Sequence, residues 1–128
     1  MPTELLRHTY WTDHMISIRH RFHKRGSLNY VYRKGKVARS EYMSLRFAPN
    51  RRDDYRLAVV VSRKVSKSAV TRNRIRRRIY EIVRLHKKEV DKAWPQDMII
   101  TVFDDRAATV DHNELATKVN QLLDKATT

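Results

Sequence analysis

The segment from Thr71 to Lys88 constrains the fold of this chain more than any other. Ile75, Ile79, Ile82, Val83 and His86 recur there at helical spacing, so one stripe of the segment is apolar. Asn73, Arg77 and Arg84 project nearly opposite that stripe. Arg72 and Arg76 lie on one flank and Arg74 and Arg78 on the other. Ser68 or Thr71 can open the helix. A solvated helix normally interleaves Glu and Lys four residues apart, and like charges at that spacing cost roughly 0.2–0.5 kcal/mol per pair. Here arginine stands beside arginine, so a partner outside the chain is needed to offset the repulsion. The plainer alternative is an Arg-rich face that water alone solvates.

Residue type narrows the partner. Guanidinium groups fork onto phosphate oxygens and stack on bases, which an ammonium cannot do. A helix N-terminus adds free N–H groups and a partial positive charge. Arg72-Asn73-Arg74 is therefore expected to form a phosphate clasp in the first turn.

The rest of the chain bears the same sign. It has 128 residues, with 28 basic and 14 acidic side chains and a formal charge of +14. So basic a protein points to an anionic partner, with nucleic acid ahead of membrane. The charge is unevenly placed. Residues 62–88 hold eleven Lys or Arg and one acid, Glu81, and residues 1–36 hold eight basic and two acidic groups. Residues 89–128 reverse the sign, with four basic and eight acidic. This asymmetry predicts an oriented docking surface, with the acidic end helping to set which way round nucleic acid lies.

The length suits one domain. There is no cysteine, which excludes disulfides and thiolate metal sites and fits a reducing cytoplasm. No apolar run approaches the ~18–20 residues that span a bilayer, so no membrane partner is expected. The first fifteen residues carry Glu4 and Asp13 and lack the apolar core of a signal peptide.

The elements read in order α-β-β-β-α-β-α, an α+β sandwich of about four strands and three helices. Ser27 is expected to cap a short helix from Leu28 to Lys34, stopped by Gly35. A weak strand lies near Val37. Met43, Leu45 and Phe47 alternate with Tyr42, Ser44 and Arg46, giving a strand with one apolar and one polar face. Ala48 to Tyr55, with Pro49, Asn50 and Asp53-Asp54, reads as a hairpin loop. Leu57 to Val61 and Met98 to Phe103 are continuous apolar runs that suit buried strands. Pro95 marks a break. Asp111 with Glu114 suggests a capping-box variant opening a last helix with an apolar stripe at Leu115, Val119, Leu122 and Leu123.

Two clusters carry residue types capable of chemistry. His8, His14, His20 and His23 fit no standard zinc spacing and read as surface or RNA-contacting side chains. Asp104-Asp105 follows a strand, where paired carboxylates can hold magnesium or do acid–base work, but they read more simply as turn residues. No Gly-rich phosphate loop and no nucleophile–base pair is present, so no catalytic residue is assigned.

The residues from Arg56 to Val65 (RLAVVVSRKV) and from Ala69 to Arg77 (AVTRNRIRR) resemble the signature of the bacterial ribonuclease P protein subunit. That family has a strand ending in a basic pair, an irregular connection, and then Arg-Asn-Arg on a helix. The likeness extends from about residue 19 to 123: the segment from Arg21-Phe22 to Gly35 is similar to the family's first helix, Tyr42 to Phe47 to its central strand, and Asp97 to Phe103 to its last. The first eighteen residues have no counterpart, leaving residues 1–18 as an extension and residues 19–128 as the domain.

The resemblance implies a fold with a left-handed crossover between the strands at 57–62 and 98–103. It implies a subunit that binds the catalytic RNA and the 5′ leader of precursor tRNA, and that promotes removal of the leader. Catalysis and its magnesium belong to the RNA, and the protein itself takes no cofactor. Carried onto this chain, Arg63, Lys64, Lys67, Arg72, Asn73, Arg74, Arg76, Arg77 and Arg78 face the catalytic RNA. Tyr32 and Leu28 match leader-contacting positions of the family, and the polar strand face of Tyr42, Ser44 and Arg46, with Ser62, is expected to line the leader-binding groove beside them. Leu28 stands where the family has an aromatic residue, and Asp104-Asp105 precedes Arg106 where the family often has Arg directly after the strand. The partners implied are the two RNAs, with no protein partner, in the cytoplasm. From composition alone, a structural RNA-binding module without a role in cleavage fits equally well.

Overall fold

The computed structural model describes residues 25–90 and 95–127. The expected N-terminal extension at 1–18 and the histidines at 8, 14, 20 and 23 lie outside the described residues. The elements are α1 (Arg25–Lys34), β1 (Lys36–Arg39), β2 (Met43–Pro49), β3 (Arg56–Val61), α2 (Ala69–Val90), β4 (Gln96–Val102), a 3-10 turn (Asp105–Ala108) and α3 (His112–Thr127). This is the order read from the sequence. Among the described residues no helix is long and apolar enough to cross a membrane.

The sheet order is β1-β2-β4-β3, with β1–β2 and β2–β4 antiparallel and β3–β4 parallel. The expected hairpin at 48–55 is therefore wrong. β4 lies between β2 and β3, so that loop crosses over the end of a strand instead of joining two paired ones. Local turn residues report that the chain turns; they do not report which strand will later insert. The parallel pair β3–β4 is joined through α2, as such pairs require.

The two faces of the sheet differ. Leu45, Leu57, Val59, Met98, Ile100 and Val102 pack with Ile75, Ile79, Ile82 and Val83 of α2 and with Leu115, Val119, Leu122 and Leu123 of α3 in the main core. Among the described residues the opposite face carries a small cluster, in which Val31 of α1 meets Ala48, Ala58 and Ile99, with Leu28 and Val60 against it. Leu57–Val61 is thus covered on both sides as expected, although β3 is an edge strand. The Tyr80 hydroxyl of α2 reaches that strand, accepting from the Val59 N–H at 3.3 Å and donating to the Leu57 carbonyl at 3.5 Å. This puts a side chain against an edge strand that would otherwise be open to pairing with another chain.

Helix ends refine the sequence reading. Ser27 lies within α1 and does not cap it. Gly35 does close it, donating its N–H to the Val31 carbonyl at 2.8 Å. A Cβ at Gly35 would run into that carbonyl and stand 3.0 Å from the Phe47 carbonyl, so close backbone approach is what glycine supplies there. Ser68 opens α2: its hydroxyl accepts from the Thr71 N–H at 3.2 Å, and its carbonyl takes the Arg72 N–H at 3.1 Å. Asp111 caps α3 through the Asn113 N–H at 3.0 Å. Glu114 accepts from the Tyr42 hydroxyl at 3.2 Å, so its carboxylate is engaged across the domain.

Candidate nucleic-acid interface

Strand β3 ends in an irregular connection, Ser62 to Ser68, that leads into α2. The Ser62 carbonyl accepts the Val65 N–H at 3.1 Å, which folds the connection into a turn. Arg72 donates to the Ser66 carbonyl at 2.9 Å. Arg76 donates to the Asn73 side chain at 2.8 Å and to the Val61 carbonyl at 3.5 Å. Burial, then the charge of Arg72, lowers the pKa of Arg76. Arg72, Asn73 and Arg76 thus fasten the connection to the helix.

In the expected phosphate clasp at Arg72-Asn73-Arg74, the Arg72 N–H is already taken by the Ser68 carbonyl, which leaves the side chains as what the motif can offer. Arg78 is engaged as well: it donates to the Ala107 carbonyl at 2.9 Å and to the Val110 carbonyl at 2.5 Å, tying α2 to the segment that leads into α3. Burial, then the neighbouring Arg74, lowers its pKa. Arg63, Lys64, Lys67 and Arg74 are exposed and have no side-chain partner among the described residues. They form the outward charge of this end, beside the half-buried Arg77.

The face under α1 gathers a second group. Paired residues place Val37, Arg46, Ile99 and Ala58 in one row and Arg39, Ser44, Thr101 and Val60 in the next. Arg46 donates to the Tyr32 carbonyl at 3.2 Å, and its guanidinium sits 5.7 Å from the Tyr32 ring centroid. Tyr32 is 40% exposed, so part of the ring remains open to a ligand. Ser62 is exposed at the end of β3.

Of the other expected leader residues, Leu28 and Ser44 belong to this face and Tyr42 does not. Leu28 packs into the small cluster under α1. Ser44 is only 7% exposed. Tyr42 precedes β2 and belongs to the main core on the opposite face, where Arg106 and Lys118 lie 4.6 and 5.0 Å from its ring centroid. The alternation that put Tyr42 with Ser44 and Arg46 fails because Tyr42 lies just outside the strand.

Asp104 and Asp105 behave as turn residues. Asp104 caps the 3-10 turn and holds Arg106 through backbone and side chain at 2.7–2.9 Å. The Arg106 side chain, hydrogen-bonded to Asp104, holds that carboxyl below its usual range. Among the described residues no group of three or more His, Cys, Asp or Glu is placed to hold a metal ion.

Residues 16–127 match the family profile described as Ribonuclease P. The chain belongs to the ribonuclease P protein family. A ribonuclease P protein component from Cyanothece is 30% identical, with 88% of this chain and 95% of that protein aligned. One from Pseudanabaena is 32% identical over the same shares. The RNase P protein structure from Thermotoga maritima superposes with a TM-score of 0.71 at 28% identity, covering 82% of this chain and 96% of that one. That from Staphylococcus aureus gives 0.72 at 25%, covering 84% and 94%.

Sequence reasoning missed one polar assembly inside this fold. Asp97, 7% exposed, takes Arg56 Nε at 2.9 Å and Nη2 at 2.6 Å, and Asn50 Nδ2 at 2.9 Å. The hydrogen bond to Asp97 raises the pKa of Arg56. An acid and a base at the starts of two strands were the available signal. It became readable only once β3 and β4 were known to run parallel in register, with Arg56 opposite Asp97.

Proposed function

We propose that this chain is the protein subunit of a bacterial-type ribonuclease P acting in the cytoplasm. It binds the catalytic RNA and the 5′ leader of precursor tRNA and promotes removal of the leader. Hydrolysis and the magnesium it uses belong to the RNA. The observation that carries this reading is the division of labour around α2. Arg72, Arg76 and Arg78 are engaged inside the fold, while Arg63, Lys64, Lys67 and Arg74 present unpaired charge at one end of the domain. Unpaired guanidinium and ammonium groups on a braced connection suit a phosphate backbone. Tyr32 and Arg46, side by side on the face under α1, combine a π face with positive charge, as single-stranded RNA requires. The experiment is reconstitution with a bacterial ribonuclease P RNA and precursor tRNA at low magnesium. Faster cleavage and tighter substrate binding with protein are expected; identical values with and without it overturn the reading.

A further inference from the structure

At the end of the sheet opposite Ser62, α1 and the β2–β3 connection border an open pocket of about 550 Å³. Tyr30, Asn50, Arg51 and Arg52 line it over a floor of Arg56 and Asp97. The rim is organised from within. The Asn50 amide donates to Asp97 at 2.9 Å and to the Asp54 carbonyl at 3.1 Å, and its oxygen accepts the Arg52 N–H at 2.9 Å. The carboxylate on the floor is taken up by Arg56, so it does not offset the rim charge. Arg51 and Arg52 are exposed and have no side-chain partner among the described residues, and Tyr30 is 50% exposed.

A half-open tyrosine beside two unengaged guanidinium groups is chemistry for an anion with a flat aromatic part. Base stacking on an aromatic side chain needs no sequence match, and the arginines can take the adjoining phosphates. A cation is disfavoured, because the one carboxylate in the lining among the described residues is already paired. We propose that this pocket takes one nucleotide of single-stranded RNA, with the base on Tyr30 and its phosphate held by Arg51 and Arg52.

Arg46, beside Tyr32, and Pro49 at the pocket are three residues apart on β2, roughly 10 Å at strand spacing. An RNA strand that passes Tyr32 and Arg46 is therefore within reach of the pocket. The 5′-distal part of the leader is one source of such a nucleotide, and this assignment rests on the leader-binding reading above; a single-stranded part of the RNA subunit is the other.

The test uses holoenzyme reconstituted with a bacterial ribonuclease P RNA, together with precursor tRNAs bearing either a short leader or a longer one. The variants are Tyr30→Ala, Tyr30→Phe and the Arg51→Ala/Arg52→Ala pair, with thermal unfolding of the free protein checked for each. Tyr30→Ala is expected to weaken long-leader binding by roughly 5-fold or more, the lower end of one lost stack. Tyr30→Phe should restore it, and short-leader binding should not change. A loss of RNA-subunit affinity that Phe also rescues assigns the nucleotide to that RNA instead. Unchanged affinity for both RNAs overturns the site. So does an equal loss with both leaders at unchanged RNA-subunit affinity, or a loss that merely follows thermal stability. Wild-type protein that gives no gain over RNA alone would fail the broader reading, and that result is read from the control without any variant.

Discussion

Arginines on α2 differ by what their guanidinium groups touch, and substitution should separate them. Arg78 bonds two carbonyls of the segment before α3. Arg78→Ala is expected to cost about 2 kcal/mol of stability, because hydrogen bonds to a charged group are worth roughly 1.5–3 kcal/mol. Arg74 touches no partner among the described residues, so Arg74→Ala should leave unfolding within roughly 0.5 kcal/mol of wild type and weaken RNA-subunit binding. Denaturant unfolding beside RNA titration checks the pair; equal effects of the two substitutions on both measurements would remove the distinction. The sequence placed Arg74 and Arg78 on one flank of the helix. It could not tell them apart, because the carbonyls that engage Arg78 come from residues 107 and 110 and are brought in by the fold. The same limit applied to Asn73, whose side chain orients Arg76.

At the level of elements, the joints between strands and helices carry the vulnerable positions. Gly35→Ala should destabilise by about 1–3 kcal/mol through overpacking against the Val31 and Phe47 carbonyls. Asp97→Ala should cost about 3 kcal/mol, since it leaves partly buried Arg56 and Asn50 without their acceptor. Both are read by thermal or denaturant unfolding. The β1–β2 turn is held to α3 by Glu41 with Lys118 at 2.9 Å and to the 3-10 turn by Glu41 with Arg106 at 3.5 Å, and Asp104 pairs with Arg106 inside that turn at 2.7 Å. Hydrogen bonding to Lys118 lowers the pKa of Glu41, as Arg106 lowers that of Asp104. A depressed carboxyl contributes stability above its unfolded value that is lost as pH falls through the folded one. Stability should therefore decline below about pH 4, and Glu41→Gln with Asp104→Asn should flatten part of that decline; an unchanged pH profile would contradict the pairing. Element order was legible because the apolar periods of 2 and 3.6 switch cleanly along the chain. Strand order was not, because β4 reaches its place between β2 and β3 only after α2 has crossed the sheet.

Across the whole molecule, the charge asymmetry seen in sequence becomes two separate basic regions at opposite ends of the sheet. One lies around the Ser62 to Ser68 connection and Arg74, the other around Arg51 and Arg52 at the opposite end of the sheet. The first was legible as a motif. The second was not, since Asn50-Arg51-Arg52 read only as a turn until Tyr30 and the Arg56–Asp97 pair were placed beside it. Of the expected leader-facing residues, Tyr32 and Arg46 come together, whereas Tyr42 packs on the opposite face. The central claim is that the unpaired charges at the first region hold RNA phosphates. It is tested most directly by the salt dependence of binding to the RNA subunit, compared between wild-type protein and a variant with Arg63, Lys64, Lys67 and Arg74 replaced by Ala. Each phosphate contact contributes ~0.7–0.9 to the logarithmic slope, so losing four should flatten it by roughly three. An unchanged slope in the variant, or a flat slope in the wild type, would contradict it.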